Sequence, residues 1–308
     1  MNLLISLLSG AISYAVSVMY AGIGETFSQR AGVMNLGVEG IMLMGAVSGY
    51  ITAVNTQNLA LAFLVVILTG ALFGLVFAFL TVTLQADQTV CGMAMLTFGT
   101  GLSGFLGKDV AGVAANLKFE KFSFPILGKI PFIGPVFFQH NLLVYAMYLI
   151  VPLSMFYIYK TRQGLYLRSL GENPAALDSA GKNVFAMRYA YLIFAGAMIA
   201  VSGSCVTLAN TNFWSPGMTA GKGWIAFALV AFSSWNPLKL TMGALLFGFI
   251  SCLGSNLQIY LPSVPTEIYT AMPYIATIIA FILATGNFRK THTAQPAALC
   301  KPYDRESR

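Results

Sequence analysis

The sequence predicts an all-α fold, a polytopic transmembrane helical bundle of about eight to ten spans in which two segments are broken or re-entrant. Three observations carry that prediction. The 308 residues are 57% hydrophobic and 9% charged, with a mean hydropathy of +0.75, whereas soluble domains are roughly a quarter charged. Residues 59–84 run without a single charge, far beyond the ~10-residue alternating strand of a membrane barrel. A bilayer core about 30 Å thick needs ~20 such residues per helix, with the backbone hydrogen bonds closed internally. The net charge of +7 is gathered between the apolar stretches, and in a membrane chain that pattern marks cytoplasmic loops rather than nucleic-acid binding.

In chain order, the first span covers roughly 3–22; it lacks the positive n-region of a signal peptide and reads as a retained helix that starts outside. Apolar stretches at 33–54, 59–84 and 88–107 follow, then 141–159, 189–209, 222–235, 238–259 and 267–286. Asp87 stands where it can cap the helix that starts near Gln88. Gly70 and Gly74 form a GxxxG, and Gly101, Gly104 and Gly107 recur at small-residue spacing, which predicts close helix packing where hydrophobicity cannot drive association.

Charge orients the chain. Loop 160–188 carries Lys160, Arg162, Arg168, Lys182 and Arg188 against Glu172 and Asp178, and the tail adds Arg289, Lys290, Lys301, Arg305 and Arg308. Both are expected in the cytoplasm. Four spans separate them, which returns the chain to the same side, and five precede the loop, which puts the N-terminus outside. The connection 108–140, with Lys108, Lys118, Lys121 and Lys129 partly offset by Asp109 and Glu120, is then external against the charge bias. The expected organisation is one transmembrane domain, 1–288, including loop 160–188, and a cytoplasmic tail, 289–308.

Two segments are too polar and too rich in glycine to be ordinary spans. Residues 24–40 combine Gly24, Gly32, Gly37 and Gly40 with Glu25, Arg30, Asn35 and Glu39, and residues 210–223 combine Pro216 with Gly217, Gly221 and Gly223. Each precedes a hydrophobic helix, one in each half of the chain. Paired interruptions of this kind point to broken helices lining a translocation pathway; surface loops are the other reading.

Candidate pathway residues follow. Asn35 and Glu39 share a face at helical spacing, and a carboxylate beside hydrocarbon needs a polar pathway or a partner such as Arg30. Trp214, Trp224 and Trp235 surround the second break with Phe213, Asn210, Asn212 and Asn236. Aromatic rings beside amides suit a flat polar ligand such as a purine or a sugar ring, and interfacial anchoring accounts for tryptophans equally well.

Other chemistry finds no support. Cys91, Cys205, Cys252 and Cys300 lack disulfide or metal-ligand spacing and read as packing residues, and His140 and His292 read as loop residues rather than ligands. No GxSxG, HExxH or phosphate-binding loop occurs; the GK dipeptides at Gly181–Lys182 and Gly221–Lys222 lack the required spacing. In loop 160–188, Asn173 as N-cap, Pro174 at the first helical position and Gly181 past the end predict a short helix of about two turns. A capped helix in a basic loop is a docking device.

Three tracts together resemble a known family: FSQRAGVMNLGVEGIMLMGA at 27–46, SLGENPAALDSAGKNV at 169–184, and KGWIAFALVAFSSWNPLKLTMGALLFG at 222–248. They are similar to the permease subunits of bacterial ABC importers for nucleosides and simple sugars, in the wider group of ribose and branched-chain amino acid permeases, over nearly the whole chain. Gln29 stands where the family commonly has Glu, and Phe232, Ser233 and Ser234 precede Trp235 where relatives often carry Gly and a bulkier or basic residue.

The resemblance implies a non-enzymatic permease in a bacterial cytoplasmic (inner) membrane, with no cofactor or metal on this chain and ATP and Mg on a partner ATPase. Gly171, Glu172, Asn173, Pro174, Ala175, Ala176, Ala180 and Gly181 would form the coupling segment that enters a groove on that ATPase. A second permease subunit, identical or different, an external binding protein or lipoprotein, and membrane lipid would complete the assembly. The competing classes are an ATP-independent secondary transporter or channel and an integral-membrane enzyme.

Overall fold

Most interruptions in the apolar pattern become helix starts with a side-chain cap, the two glycine-rich breaks before α2 and α10 being exceptions. The structure, a computed structural model, describes residues 2–113, 117–125, 127–261, 263–288 and 295–305, without the side chains of residues 2, 129 and 280–288. Arg289, Lys290, His292 and Arg308 lie outside the described residues.

The helices are α1 (Asn2–Arg30), α2 (Val38–Thr56), α3 (Leu59–Ala78, continued by a wide turn over Phe79–Thr83) and α4 (Gln88–Leu106). The 108–140 connection holds α5 (Ile133–Phe137) and a two-stranded antiparallel pair, β1 (Phe122–Ser123) and β2 (Gln139–His140). There follow α6 (Leu142–Lys160), α7 (Arg162–Glu172), α8 (Pro174–Ser179), α9 (Val184–Ser204, with a wide turn over Cys205–Thr211), α10 (Lys222–Phe232), α11 (Pro237–Tyr260) and α12 (Thr266–Phe288). Among the described residues, seven helices are long and apolar enough to cross a bilayer: Leu3–Arg30, Val38–Thr56, Leu59–Thr83, Gln88–Leu106, Leu142–Lys160, Val184–Thr211 and Pro237–Tyr260. At ~1.5 Å per residue, the 11-residue α10 covers only about half the membrane.

Caps end these helices where the sequence places amides and carboxylates. Asp87 accepts from Val90 N at 2.9 Å, as expected, and Asn58, Asn141, Asn183 and Asn236 do the same for their helices. The buried heart of the bundle is α9, flanked by α1, α2 and α3. A Cβ added to Gly70 would strike the Gly196 carbonyl of α9, and one on Gly45 the Ala200 carbonyl, so the small residues set these spacings. Gly101 and Gly104 do not behave as expected: a Cβ on either meets nothing within 4 Å, because that face of α4 is unpacked among the described residues.

Two further differences have physical causes. Residues 24–30 remain helical as the end of α1; Gly24 is there for a close approach, since a Cβ would lie 2.8 Å from Ala195 O on α9. Only 31–37 break the chain. Helix α7 was unforeseen, yet Thr161 caps it by accepting from Gly164 N at 3.0 Å and it buries Leu167 and Leu170.

The two long connections lie at opposite ends of the bundle. At one end Phe119 N donates to Leu208 O at 2.9 Å and Gly112 N to Trp214 O at 3.0 Å; at the other, Ala298 N of the tail donates to Gly171 O at 2.8 Å. His140, at the first end, is buried with Nε2 2.7 Å from Val136 O, and burial, helped by Lys121, lowers its pKa below the usual histidine value.

Candidate functional site

The first break restarts the chain through an amide turn: Asn35 Oδ1 accepts from Gly37 N at 2.8 Å, and Asn35 N donates to Glu25 Oε1 at 3.0 Å. That turn launches α2 with Glu39 in its first turn, and only 8% of Glu39 is exposed. The second break begins at the opposite end of the bundle, where Trp214 pairs with Ala111. From there the chain dips inward through Gly217 (φ +70°) and Gly221 (φ +79°), left-handed conformations that favour glycine.

The breaks meet at one carboxylate. Glu39 Oε1 accepts from Thr219 Oγ1 at 2.5 Å and from Gly221 N at 2.8 Å, while Oε2 accepts from Gly223 N at 2.6 Å. Helix α10 starts at Lys222, so Glu39 satisfies donors that a helix N-terminus leaves open and faces the positive end of its dipole. Gly223 has to be glycine, since a Cβ would lie 2.7 Å from the Glu39 backbone. Arg30 takes no part: it donates to Trp235 O and to Tyr159 Oη, both at 2.9 Å, so the local Arg30–Glu39 pairing does not form.

A hydrogen-bonded chain ties the far end of α10 to the first break. Trp235 Nε1 donates to Gln29 Oε1 at 2.7 Å, and Gln29 Nε2 donates to Glu25 Oε1 at 2.9 Å, which also receives Asn35 N. An amide can accept at one end and donate at the other; a carboxylate at position 29 could not. The departure from the expected Glu at Gln29 is therefore matched to the indole and the buried Glu25.

Beside the second break lies a cavity of about 370 Å³ between α1, α11 and α12, lined among others by Tyr14, Lys222, Ser251, Ser255, Thr270 and Tyr274. Lys222 lines this cavity and lies within electrostatic reach of Glu39. Thr219 and these lining hydroxyls were absent from the sequence-based site, and Glu25 was noted there only as part of the first polar segment; single hydroxyls give no periodic signal, and only the folded packing assembles them.

The predicted aromatic cluster does not come together. Trp214 is fully buried at the connection end, where its ring covers Gly107; Trp235 is buried near Arg30; and Trp224 is 40% exposed on α10. Asn210 Nδ2 donates to Ser13 O at 3.4 Å, and Asn212 is left-handed at φ +59°. In the loop, α8 has the predicted start, with Asn173 Oδ1 accepting from Ala176 N at 3.0 Å, and Gly181 is left-handed just past its end. Asn173, Ala176, Ala180 and Gly181 are exposed, Pro174 and Ala175 half-buried, and Gly171 buried beneath Arg30 and Pro296. Glu172 is exposed and accepts from Ala297 N at 3.3 Å. Among the described residues no cluster of metal-ligating side chains occurs.

Residues 7–282 match the family described as the permease component of the branched-chain amino acid transport system. The chain belongs to that family. The permease is 35% identical over 99% of its length and 99% of the relative's to a Haloferax volcanii protein provisionally named as a glucose ABC transporter permease. It is 33% identical, over 92% of its own length and 94% of the relative's, to a nucleoside ABC transporter permease of Lactococcus lactis. It is 34% identical, over 87% and 88%, to a guanosine ABC transporter permease of Bacillus subtilis. No solved structure matches it. The permease is a multi-pass membrane protein of ABC transport and not itself an enzyme.

Proposed function

We propose that this permease forms the translocation pathway of an ATP-driven importer for a ribonucleoside. The observation that carries the reading is the meeting of the two broken segments at Glu39 beside a cavity lined by hydroxyls, tyrosines and Lys222. A volume of about 370 Å³ falls in the ~300–1,000 Å³ range of small-molecule sites, and hydroxyl-rich walls with aromatic edges suit a ribose joined to a base. The names of the Lactococcus and Bacillus relatives support the nucleoside. The Haloferax relative supports a simple sugar as the second reading.

In this proposal Glu39 holds the two breaks together, Asn35 shapes the first and Trp235 ties the end of α10 to it, while Asn210, Asn212, Trp214 and Trp224 flank the second. Loop 160–188 and the tail face the cytoplasm of a bacterial inner membrane. There α8 and its flanks dock on an ATPase that binds ATP and Mg, beside a second permease subunit and opposite an external binding protein. Closure of the ATPases on ATP moves α8, and the breaks reorganise to alternate access.

The test is uptake of tritiated guanosine, uridine and glucose by cells carrying the permease with its ATPase and binding protein. Saturable guanosine or uridine uptake that Ser251→Ala with Thr270→Ala weakens is expected. Glucose uptake without nucleoside uptake selects the sugar reading, and uptake of none of the three contradicts both.

A further inference from the structure

The tail does not hang free. Residues 295–305 lie across one end of the bundle with Ala298, Leu299 and Tyr303 buried, and they touch several of the connections that meet there. Ala298 N donates to Gly171 O at 2.8 Å and Ala297 N to Glu172 Oε2 at 3.3 Å, which grips the junction of α7 and α8. Gln85 Nε2, in the turn between α3 and α4, donates to Tyr303 O at 3.1 Å. Ala298 O would lie 3.3 Å from a Cβ on Gly32, and Cys300 Sγ is 3.8 Å from Met34 Sδ, so the strap also covers the first break.

Its end is fastened to α8 itself. Asp178, buried on the inner face of α8, accepts from Tyr303 Oη at 3.1 Å and from Arg305 Nε at 2.9 Å and Nη2 at 2.6 Å. The two-pronged Arg–carboxylate geometry fixes direction as well as distance. The Tyr303 ring also packs on Phe185 at the start of α9, with ring centroids 5.9 Å apart. Helix α8 has only six residues and turns Leu177 and Asp178 inward, so the tail supplies much of what ties it to the bundle. A docking helix transmits displacement only when it is tied to the elements that must move. Here one strand of chain joins α8 to Gly32 and Met34, directly before the Asn35 turn and Glu39.

We propose that residues 295–305 are a mechanical strap, in which Asp178, Tyr303 and Arg305 are positioning residues that pass movement of α8 to the first broken segment. The inference rests on the reading of α8 as the ATPase-docking element. It requires that the exposed rim of α8, not the strap, bind the ATPase.

The test compares the wild-type permease–ATPase complex in proteoliposomes with Arg305→Ala, Arg305→Lys and a chain truncated before Gln295, reading solute moved per ATP hydrolysed and ATPase retained on purification. Expected for Arg305→Ala and the truncation is a fall of about 2- to 30-fold in solute per ATP, the range typical of altered coupling between sites, with ATPase retained and partial recovery in Arg305→Lys. A purely structural role would lower assembly and both rates together and leave the ratio unchanged; that result overturns the strap. So does loss of ATPase from Arg305→Ala, which would make the tail a docking element. A wild-type chain that captures no ATPase removes the coupling reading and the strap with it, whereas a normal ratio in an intact variant complex removes the strap alone.

Discussion

Replacing Glu39 by Ala strands three donors at once: Thr219 Oγ1, Gly221 N and Gly223 N all point at its carboxylate. Hydrogen bonds to a charged group contribute ~1.5–3 kcal/mol each, and a buried donor left unmet costs ~1–3 kcal/mol. The three share one acceptor group and Thr219 can rotate toward another, so the terms do not add fully. The lost interaction with the α10 dipole adds ~0.3–1 kcal/mol. A net cost of about 3–5 kcal/mol follows, and at ~2 °C per kcal/mol for a chain of this size it lowers Tm by about 6–10 °C. Glu39→Gln separates charge from geometry: its amide oxygen can serve Thr219 and Gly221, but its NH₂ then faces the Gly223 N–H, donor against donor. It should lose about 1–3 kcal/mol, the smaller of the two shifts. The assay is thermal unfolding of the purified permease in one detergent, with uptake measured in parallel. If Glu39→Ala melts within ~1 °C of wild type and transports normally, the junction of the breaks is not held as described.

Other outcomes follow from the same geometry. Gln29→Glu removes the donor to Glu25 and sets two carboxylates together away from water, so one proton must be shared; the variant should melt lower than wild type, and the deficit should shrink on acidification, as scanning calorimetry at pH 5 and 8 checks. Trp235→Phe keeps the ring but removes the bond to Gln29, and about 1–2 kcal/mol should be lost in the same melting assay. Gly45→Val pushes α2 off α9 at a backbone contact and should reduce folded yield severely on size-exclusion chromatography, whereas Gly104→Val, which meets nothing, should leave yield unchanged. His140 is held below its ordinary pKa by burial, so the folded state resists its protonation; the stability this gives is present above the unfolded value of ~6.5 and is lost as pH falls below it. Melting temperatures at pH 7.5 and 5.5 should therefore differ more in wild type than in His140→Asn.

Helix existence was legible because the bilayer makes it so: a backbone that must satisfy itself writes its spans as long apolar runs, and Asp87, Asn173 and Pro174 mark ends by chemistry that operates locally. That the two long connections lie at opposite ends of the bundle was legible from the parity of the spans. What the residues did not disclose depends on contacts distant in sequence. Gly24 looked like a helix breaker, since nothing local says that Ala195 will press against it. The three tryptophans looked like one cluster because they are close along the chain, but Trp214 lies at the connection end where the second break begins, Trp224 on α10, and Trp235 past the far end of α10 beside Arg30. Glu39 was recognised as a carboxylate needing a partner, while its partners, some 180 residues away, could be identified only after folding. The tail was expected only as a basic cytoplasmic segment, because burial of Tyr303 and pairing of Arg305 require Asp178 to be in place first.

One reconstitution bears most directly on the whole picture. The purified permease pair is sealed into liposomes with its ATPase and binding protein, and internal accumulation of tritiated guanosine is followed with ATP, without ATP, and with the ATPase omitted. Accumulation above the outside concentration only when ATPase and ATP are both present is the result expected. Uphill accumulation by the permease alone would contradict the division of labour between a passive pathway and an energised partner.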